Sequence, residues 1–138
     1  MLTEAHLGGV SQLATTILPD GLAIAITGGN DGTIRLWDLQ AGTPKTDNLP
    51  AHQAYDPLEF GGGGVEQLVV TTLPDGRAMA ITAGGEHVCT YDLSAGRIWR
   101  RINVGSYVQS VELTSDGLIV VGAQMGLLGL RDALPEGE

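Results

Sequence analysis

The sequence has few of the residues that mark several large classes of protein. Of its 138 residues one is cysteine, six are aromatic and seven are basic, against sixteen acidic ones. A single cysteine, Cys89, cannot form a disulfide within the chain, which suits a reducing compartment. The net charge of −9 argues against binding nucleic acid or an anionic membrane surface, because both need concentrated positive charge.

Long apolar runs and targeting signals are also missing. The longest apolar candidate, around 118–130, is interrupted by Gly122, Gln124 and Gly126, short of the roughly 20 residues of a membrane span. Residues 1–8 lack the basic stretch and apolar core of a signal peptide. A hydrophobic content of 43% excludes a largely disordered chain. We therefore expect one soluble, cytoplasmic domain that binds neither nucleic acid nor membrane.

What the sequence does contain is an internal repeat that is rich in glycine. Segment 8–27 matches segment 63–82 at 14 of 20 positions without a gap, and a weaker third copy covers 107–132. Asp-Gly pairs that start at 20, 75 and 116 mark the copies, and an insertion before the second copy accounts for most of the unequal spacing. Repeats of this length indicate an architecture of stacked units.

Each copy predicts a run of short strands. In the first copy, apolar segments 10–18 and 22–27 and the alternating segment 33–39 are separated by turns built from Gly, Pro, Asn and Asp. Residues 45–49 are a polar candidate for a fourth strand, and no segment has a sustained helical period. Four short antiparallel strands in about 45 residues are typical of a β-propeller blade.

One segment resembles a known family. Residues 28–39, GGNDGTIRLWDL, are similar to WD-repeat β-propellers, in particular to actinobacterial-type repeats, with Trp37-Asp38 as the namesake dipeptide. The resemblance implies an all-β fold, a partial or C-terminal piece of a propeller with about three four-stranded antiparallel blades, the third lacking its outer strand. The expected boundaries are 7–50 for blade one, 51–104 for blade two with a loop insertion at 53–64, 105–132 for blade three and 133–138 for a tail.

The same resemblance implies a structural tetrad in which a His, a Ser or Thr, an Asp and a Trp share hydrogen bonds. Burying four polar side chains is tolerable only when each finds a partner, and an imidazole can bridge a hydroxyl and a carboxylate. The third copy keeps none of the four residues. The first copy offers His6, Thr27, Asp31 and Trp37, and the second a degraded set, His52, Thr82, Glu86 and Tyr91.

No motif in the sequence assembles a reaction centre, so we expect no enzyme, cofactor or metal. The resemblance implies a non-catalytic scaffold for protein–protein interactions with an unidentified protein partner. Tyr55 and Phe60 in the insertion either contact that partner or pack against the blade. Two alternatives stay open: a propeller enzyme with an active site on the channel face, and the C-terminal sensor part of a larger signalling ATPase or kinase.

Three blades are too few to close a ring, since propellers typically have four to eight. We expect the uncovered blade faces to present apolar side chains to water and to mark an association site. Either head-to-tail self-association or upstream blades of the same polypeptide would cover them. The residues expected on these faces are Ile24, Ile26, Ile34, Leu36, Ile119 and Val121.

Overall fold

A computed structural model describes residues 9–45, 64–114 and 118–130 and the backbone of 49–50. These residues form strands and turns. No helix among them is long and apolar enough to cross a membrane. The strands form three antiparallel sheets that follow one another along the chain.

The first sheet is a meander whose outer edge is interrupted. Strands β1 (Val10–Ile17), β2 (Ala23–Gly29) and β3 (Thr33–Asp38) pair in sequence order. Two short strands, β4 (Thr43–Pro44) and β5 (Leu49–Pro50), pair antiparallel with the two ends of β3. Each includes a proline, which lacks an N–H donor and is therefore tolerated at a sheet edge. The two strands lie on either side of the middle of the predicted strand 45–49, of which residues 46–48 lie outside the described residues.

The second and third sheets repeat this order. The second contains β6 (Gln67–Thr72), β7 (Ala78–Gly84), β8 (His87–Asp92) and β9 (Arg97–Asn103). The third contains β10 (Val108–Leu113), β11 (Ile119–Ala123) and β12 (Gly126–Leu130), and the described residues give it no fourth strand. Each strand pairs with its neighbour in sequence, so short turns determine the topology.

The repeated Pro-Asp-Gly segment forms the same turn in the first two sheets. The carboxylate of Asp20 accepts a hydrogen bond from the backbone N–H of Leu22 at 3.0 Å, and that of Asp75 accepts the equivalent bond from Arg77 at 3.0 Å. The glycines that follow, Gly21 and Gly76, have φ of 89° and 91°, which side-chain-bearing residues rarely adopt. These aspartates therefore shape turns.

The core lies between the sheets, and the middle sheet is buried on both faces. Alternate residues of a strand point to opposite faces, so β7 contributes to two clusters. Ala78 and Ala80 pack with Ile24 and Ile26 of the first sheet. The clusters between the second and third sheets include Met79, Ile81, Ala83, Val88, Val108, Val111, Ile119 and Val121.

The expectation that Ile24, Ile26, Ile34, Leu36, Ile119 and Val121 face water is wrong. All six are fully buried, because they lie on the sides of the first and third sheets that meet the middle sheet. The sides of the first and third sheets that are turned away from the middle sheet carry the other residues of each alternating strand. There Leu13 is 66% exposed, Ile17 67% and Leu127 79%.

The junction of the first and second sheets leaves no room for a side chain at Gly28. A Cβ at this position would lie 2.6 Å from Cγ1 and 2.8 Å from Cβ of Val65, which is itself buried. The Val65 backbone is held because its N–H donates to Gly29 O at 2.9 Å and its carbonyl accepts the Ser11 hydroxyl. Glycine at 28 therefore permits the close approach of the two sheets.

Candidate functional site

Two of the four residues predicted for the first tetrad are joined by a hydrogen bond. The indole Nε1–H of Trp37 on β3 donates to Oγ1 of Thr27 on β2 at 2.9 Å. The guanidinium of Arg35 lies 5.2 Å from the centre of the Trp37 ring, within range of a cation–π contact. Adjacent strands thus bring Thr27 and Trp37 together.

Asp31 lies in the turn between β2 and β3. Its Oδ1 accepts hydrogen bonds from the backbone N–H of Thr33 at 3.1 Å and from the Thr33 hydroxyl at 2.8 Å. His6 lies outside the described residues. The complete tetrad therefore stays a prediction, and what the geometry gives is a Thr27–Trp37 pair beside a turn closed by Asp31.

The second copy keeps a pair of the same kind. The hydroxyls of Thr82 and Tyr91 lie 3.3 Å apart, and both side chains are fully buried. Burial raises the pKa of Tyr91 far above its ordinary value, so the phenol stays protonated. Glu86 is exposed in the β7–β8 turn, and His52 lies outside the described residues.

The single cysteine lies beside this pair and is sealed from solvent. Cys89 is buried between the first and second sheets. Burial raises the pKa of its thiol to about 11, although the positive charge of Arg101 and a hydrogen bond with Tyr91 oppose the rise. Because the thiolate is the reactive form, Cys89 is a poor nucleophile and a poor metal ligand at neutral pH.

The shifted ionisable groups lie at three separate places. Hydrogen bonds from Arg77 lower the pKa of Asp75 in an exposed turn. Cys89 and Tyr91 lie in the core between the first two sheets. Tyr107 lies in the connection from β9 to β10, where its pKa rises to about 12. Over the described ranges, no three His, Cys, Asp or Glu side chains are grouped to hold a metal ion.

The contact between Glu66 and Tyr107 could not be predicted from the sequence. The Tyr107 hydroxyl donates to the Glu66 carboxylate, with oxygen distances of 2.6 and 2.7 Å, and joins the second sheet to the third. This hydrogen bond is the main cause of the raised Tyr107 pKa, followed by burial and the negative charge of Glu66. Ser11, Glu66 and Tyr107 occupy equivalent positions of the three copies, but their residue types differ and do not mark the hydrogen bond.

The outer strand β9 presents an exposed tryptophan among arginines. Trp99 is 38% exposed and lies at a bulge, where the pairing of β8 with β9 shifts register. The three arginines of this strand, Arg97, Arg100 and Arg101, are exposed and are three of the seven basic residues of the chain. Tyr55 and Phe60, the predicted partner contacts, lie outside the described residues.

Comparison with solved structures decides the fold. The chain is similar to the crystal structure of the WD40 β-propeller domain of Doa1, with a TM-score of 0.59 and 24% sequence identity. The fold is that of a partial WD40 propeller. The match covers 87% of this chain but only 35% of the other, so the chain spans about a third of that length. No protein-family profile matches the chain.

The predicted fold class, an all-β partial propeller, is confirmed, and the three sheets are hereafter called blades one, two and three. The actinobacterial type of the repeat and the expected blade boundaries stay predictions. Gly64, the last residue of the expected insertion 53–64, belongs to the described residues. Gly64 is buried, and a Cβ there would lie 2.8 Å from Asn30 Cα, so this glycine packs on blade one.

Proposed function

We propose that this protein is a non-catalytic, cytoplasmic module for protein–protein interactions, with β9 as a partner-binding strand. The observation that carries the proposal is the exposed Trp99 flanked by exposed Arg97, Arg100 and Arg101. Tryptophan and arginine are the residues that most often dominate binding energy at protein interfaces, because they combine large contact area with hydrogen bonding. A WD40 propeller fold supplies the rigid support.

The charge of β9 suggests the chemistry of the partner. The protein carries a net charge of −9, yet β9 gathers three arginines. An arginine fork matches a carboxylate with two parallel hydrogen bonds. The proposed partner is therefore an acidic protein segment. Tyr55 and Phe60 are proposed as a second contact with it, from the sequence alone.

The alternative of an enzyme on the channel face has less support. Catalytic sites gather groups with shifted pKa values in one cleft. Here Asp75 lies in an exposed turn, Cys89 in the buried core between blades one and two, and Tyr107 in the connection from blade two to blade three. The alternative that the chain is the sensor part of a larger signalling protein stays a prediction from the resemblance.

The experiment compares capture by matched variants. The tagged wild-type chain, Trp99→Ala, Arg100→Ala and the control Arg77→Ala are each incubated with an extract of the source cells. Bound proteins are identified by quantitative mass spectrometry. Arg77 is a suitable control because it belongs to the same blade but binds Asp75 in a turn. We expect a protein with an acidic segment that the wild type and Arg77→Ala retain, and that the two β9 variants lose.

Direct binding then tests the assignment. Each β9 substitution should weaken the purified complex by more than about 1 kcal/mol, roughly fivefold or more in Kd. If no captured protein depends on Trp99 or Arg100, β9 is an ordinary solvated edge and the proposal fails.

A further inference from the structure

Among the described residues, blades two and three leave one face of blade one without a neighbouring sheet. We call this the leading face, the side of β1–β3 turned away from blade two. Strand alternation and register place on it Leu13, Thr15, Ile17, Ala23, Ala25, Thr27, Arg35 and Trp37. Leu13 and Ile17 are 66% and 67% exposed although both are large apolar side chains.

The equivalent face of blade two is covered by blade one. The repeat offset of 55 residues equates Leu13 with Leu68 and Ala25 with Ala80. Leu68 and Ala80 both pack into the core shared with blade one. The leading face thus has the pattern of a surface that receives a preceding blade.

Blade three has a face of the complementary kind, which no other described sheet covers. We call this the trailing face, the side of β10–β12 turned away from blade two, which carries Ser110, Glu112, Val120, Gly122 and Leu127. The offset between the first and third Asp-Gly pairs equates Val120 with Ile24 and Gly122 with Ile26. Ile24 and Ile26 are the residues with which blade one covers blade two.

The two free faces are complementary in charge and in size. Within the described residues, the leading face carries one charged side chain, Arg35, and the trailing face carries one, Glu112. The leading face has Trp37 where blade two has the smaller Tyr91, and the trailing face has Gly122 where blade one has the larger Ile26. Compared with the contact between blades one and two, the leading face thus carries a larger side chain and the trailing face a smaller one.

We propose that the leading face binds the trailing face of a second copy of this chain, head to tail. The contact would extend the blade-on-blade packing already present twice within the chain. Two copies would bring six blades together, within the range in which propellers close. This contact uses neither Trp99 nor β9, so it stands or falls separately from the proposed partner surface.

The wild-type chain gives the first test. Its mass is measured by sedimentation velocity from roughly 1 to 300 μM, because association depends on protomer concentration. We expect the mass to rise towards twice the 14.3 kDa of the chain. A mass that stays at one chain over the whole range overturns the proposal and would fit a leading face that is filled by blades of a longer polypeptide.

Variants of the two faces give the second test. Leu13→Glu on the leading face and Leu127→Glu on the trailing face should each weaken association by roughly tenfold or more, since each puts a charge into an apolar contact. Ile17→Glu repeats the first change in case Leu13→Glu fails to fold. The control is Ser94→Glu, because Ser94 is exposed in the β8–β9 turn of blade two and lies on neither free face. Circular dichroism verifies the fold of each variant.

Mixing the variants distinguishes head-to-tail docking from other dimers. Leu13→Glu keeps an intact trailing face and Leu127→Glu an intact leading face, so an equimolar mixture should associate more strongly than either variant alone. A dimer that pairs two leading faces would respond to Leu13→Glu only and would show no such rescue. Association that neither variant weakens, or that mixing does not restore, contradicts the proposal.

Discussion

Replacing Gly28 by alanine tests the close approach of blades one and two. The added Cβ would lie 2.6, 2.8 and 3.3 Å from the three nearest atoms of Val65, all closer than ordinary contact. Val65 is 1% exposed, and hydrogen bonds to Gly29 and Ser11 hold its backbone, so it has little freedom to move. Overpacking of a core typically costs about 1–3 kcal/mol, and the lower entropy of the unfolded chain returns about 0.4–1. We expect Gly28→Ala to lower the free energy of unfolding by about 1–2 kcal/mol.

The matched control is Gly129→Ala on β12. A Cβ there would lie 3.5 Å from the end of the Leu118 side chain, which is ordinary contact. The same gain from the unfolded chain should leave this variant unchanged or more stable by up to about 1 kcal/mol. Urea denaturation of the wild type and both variants measures the difference.

A double-mutant cycle then identifies the contact. Removing the Val65 methyl groups with Val65→Ala opens space beside position 28, so Gly28→Ala should cost at least about 0.5 kcal/mol less in that background. The close approach of blades one and two at Gly28 is wrong if Gly28→Ala is as stable as Gly129→Ala, or if the free-energy cost of Gly28→Ala is the same with and without Val65→Ala.

Three further predictions concern the polar contacts. Asp31→Ala should lower the free energy of unfolding by about 1–3 kcal/mol, because it removes the acceptor of two Thr33 hydrogen bonds, whereas Glu86→Ala in an exposed turn should cost much less; equal losses in denaturation would contradict this role of Asp31. The Cys89 thiol should not react with a thiol reagent at pH 8 until denaturant is added, since it is buried and its pKa is about 11; rapid reaction of the native protein would show an open core. Tyr107 has a pKa raised to about 12 from an unfolded value near 10, so its contribution to stability should be complete below about pH 10 and lost as the pH rises towards 12, and Tyr107→Phe should remove that part of the pH dependence in alkaline denaturation scans.

The strands and turns could be predicted because their signals are local. Asp20-Gly21 and Asp75-Gly76 each close a hairpin within five residues, and the alternation of 33–39 specifies a strand. Trp37 and Thr27 were paired through the family resemblance, and adjacent strands place them in contact. Local chemistry repeated in each copy is visible in a single sequence.

What could not be predicted depends on contacts between blades. On β2 both alternating sets, Ile24 with Ile26 and Ala25 with Thr27, are compatible with burial, so the pattern does not tell which set meets blade two. The choice is made by packing, and the expectation for the exposed residues was wrong for this reason. The Glu66–Tyr107 hydrogen bond joins residues 41 positions apart and has no local signature.

The burial of blade two on both faces has a consequence for how the three copies tolerate mutation. Every residue of β7 is buried, so a substitution there meets a packed neighbour whichever way its side chain points. On β1 and β12 several side chains face solvent within one chain, so substitutions at those positions should leave the core packing of that chain unchanged. The central repeat is therefore the most constrained by packing within one chain, while the outer sides of the two flanking repeats are constrained only by the head-to-tail contact proposed for them.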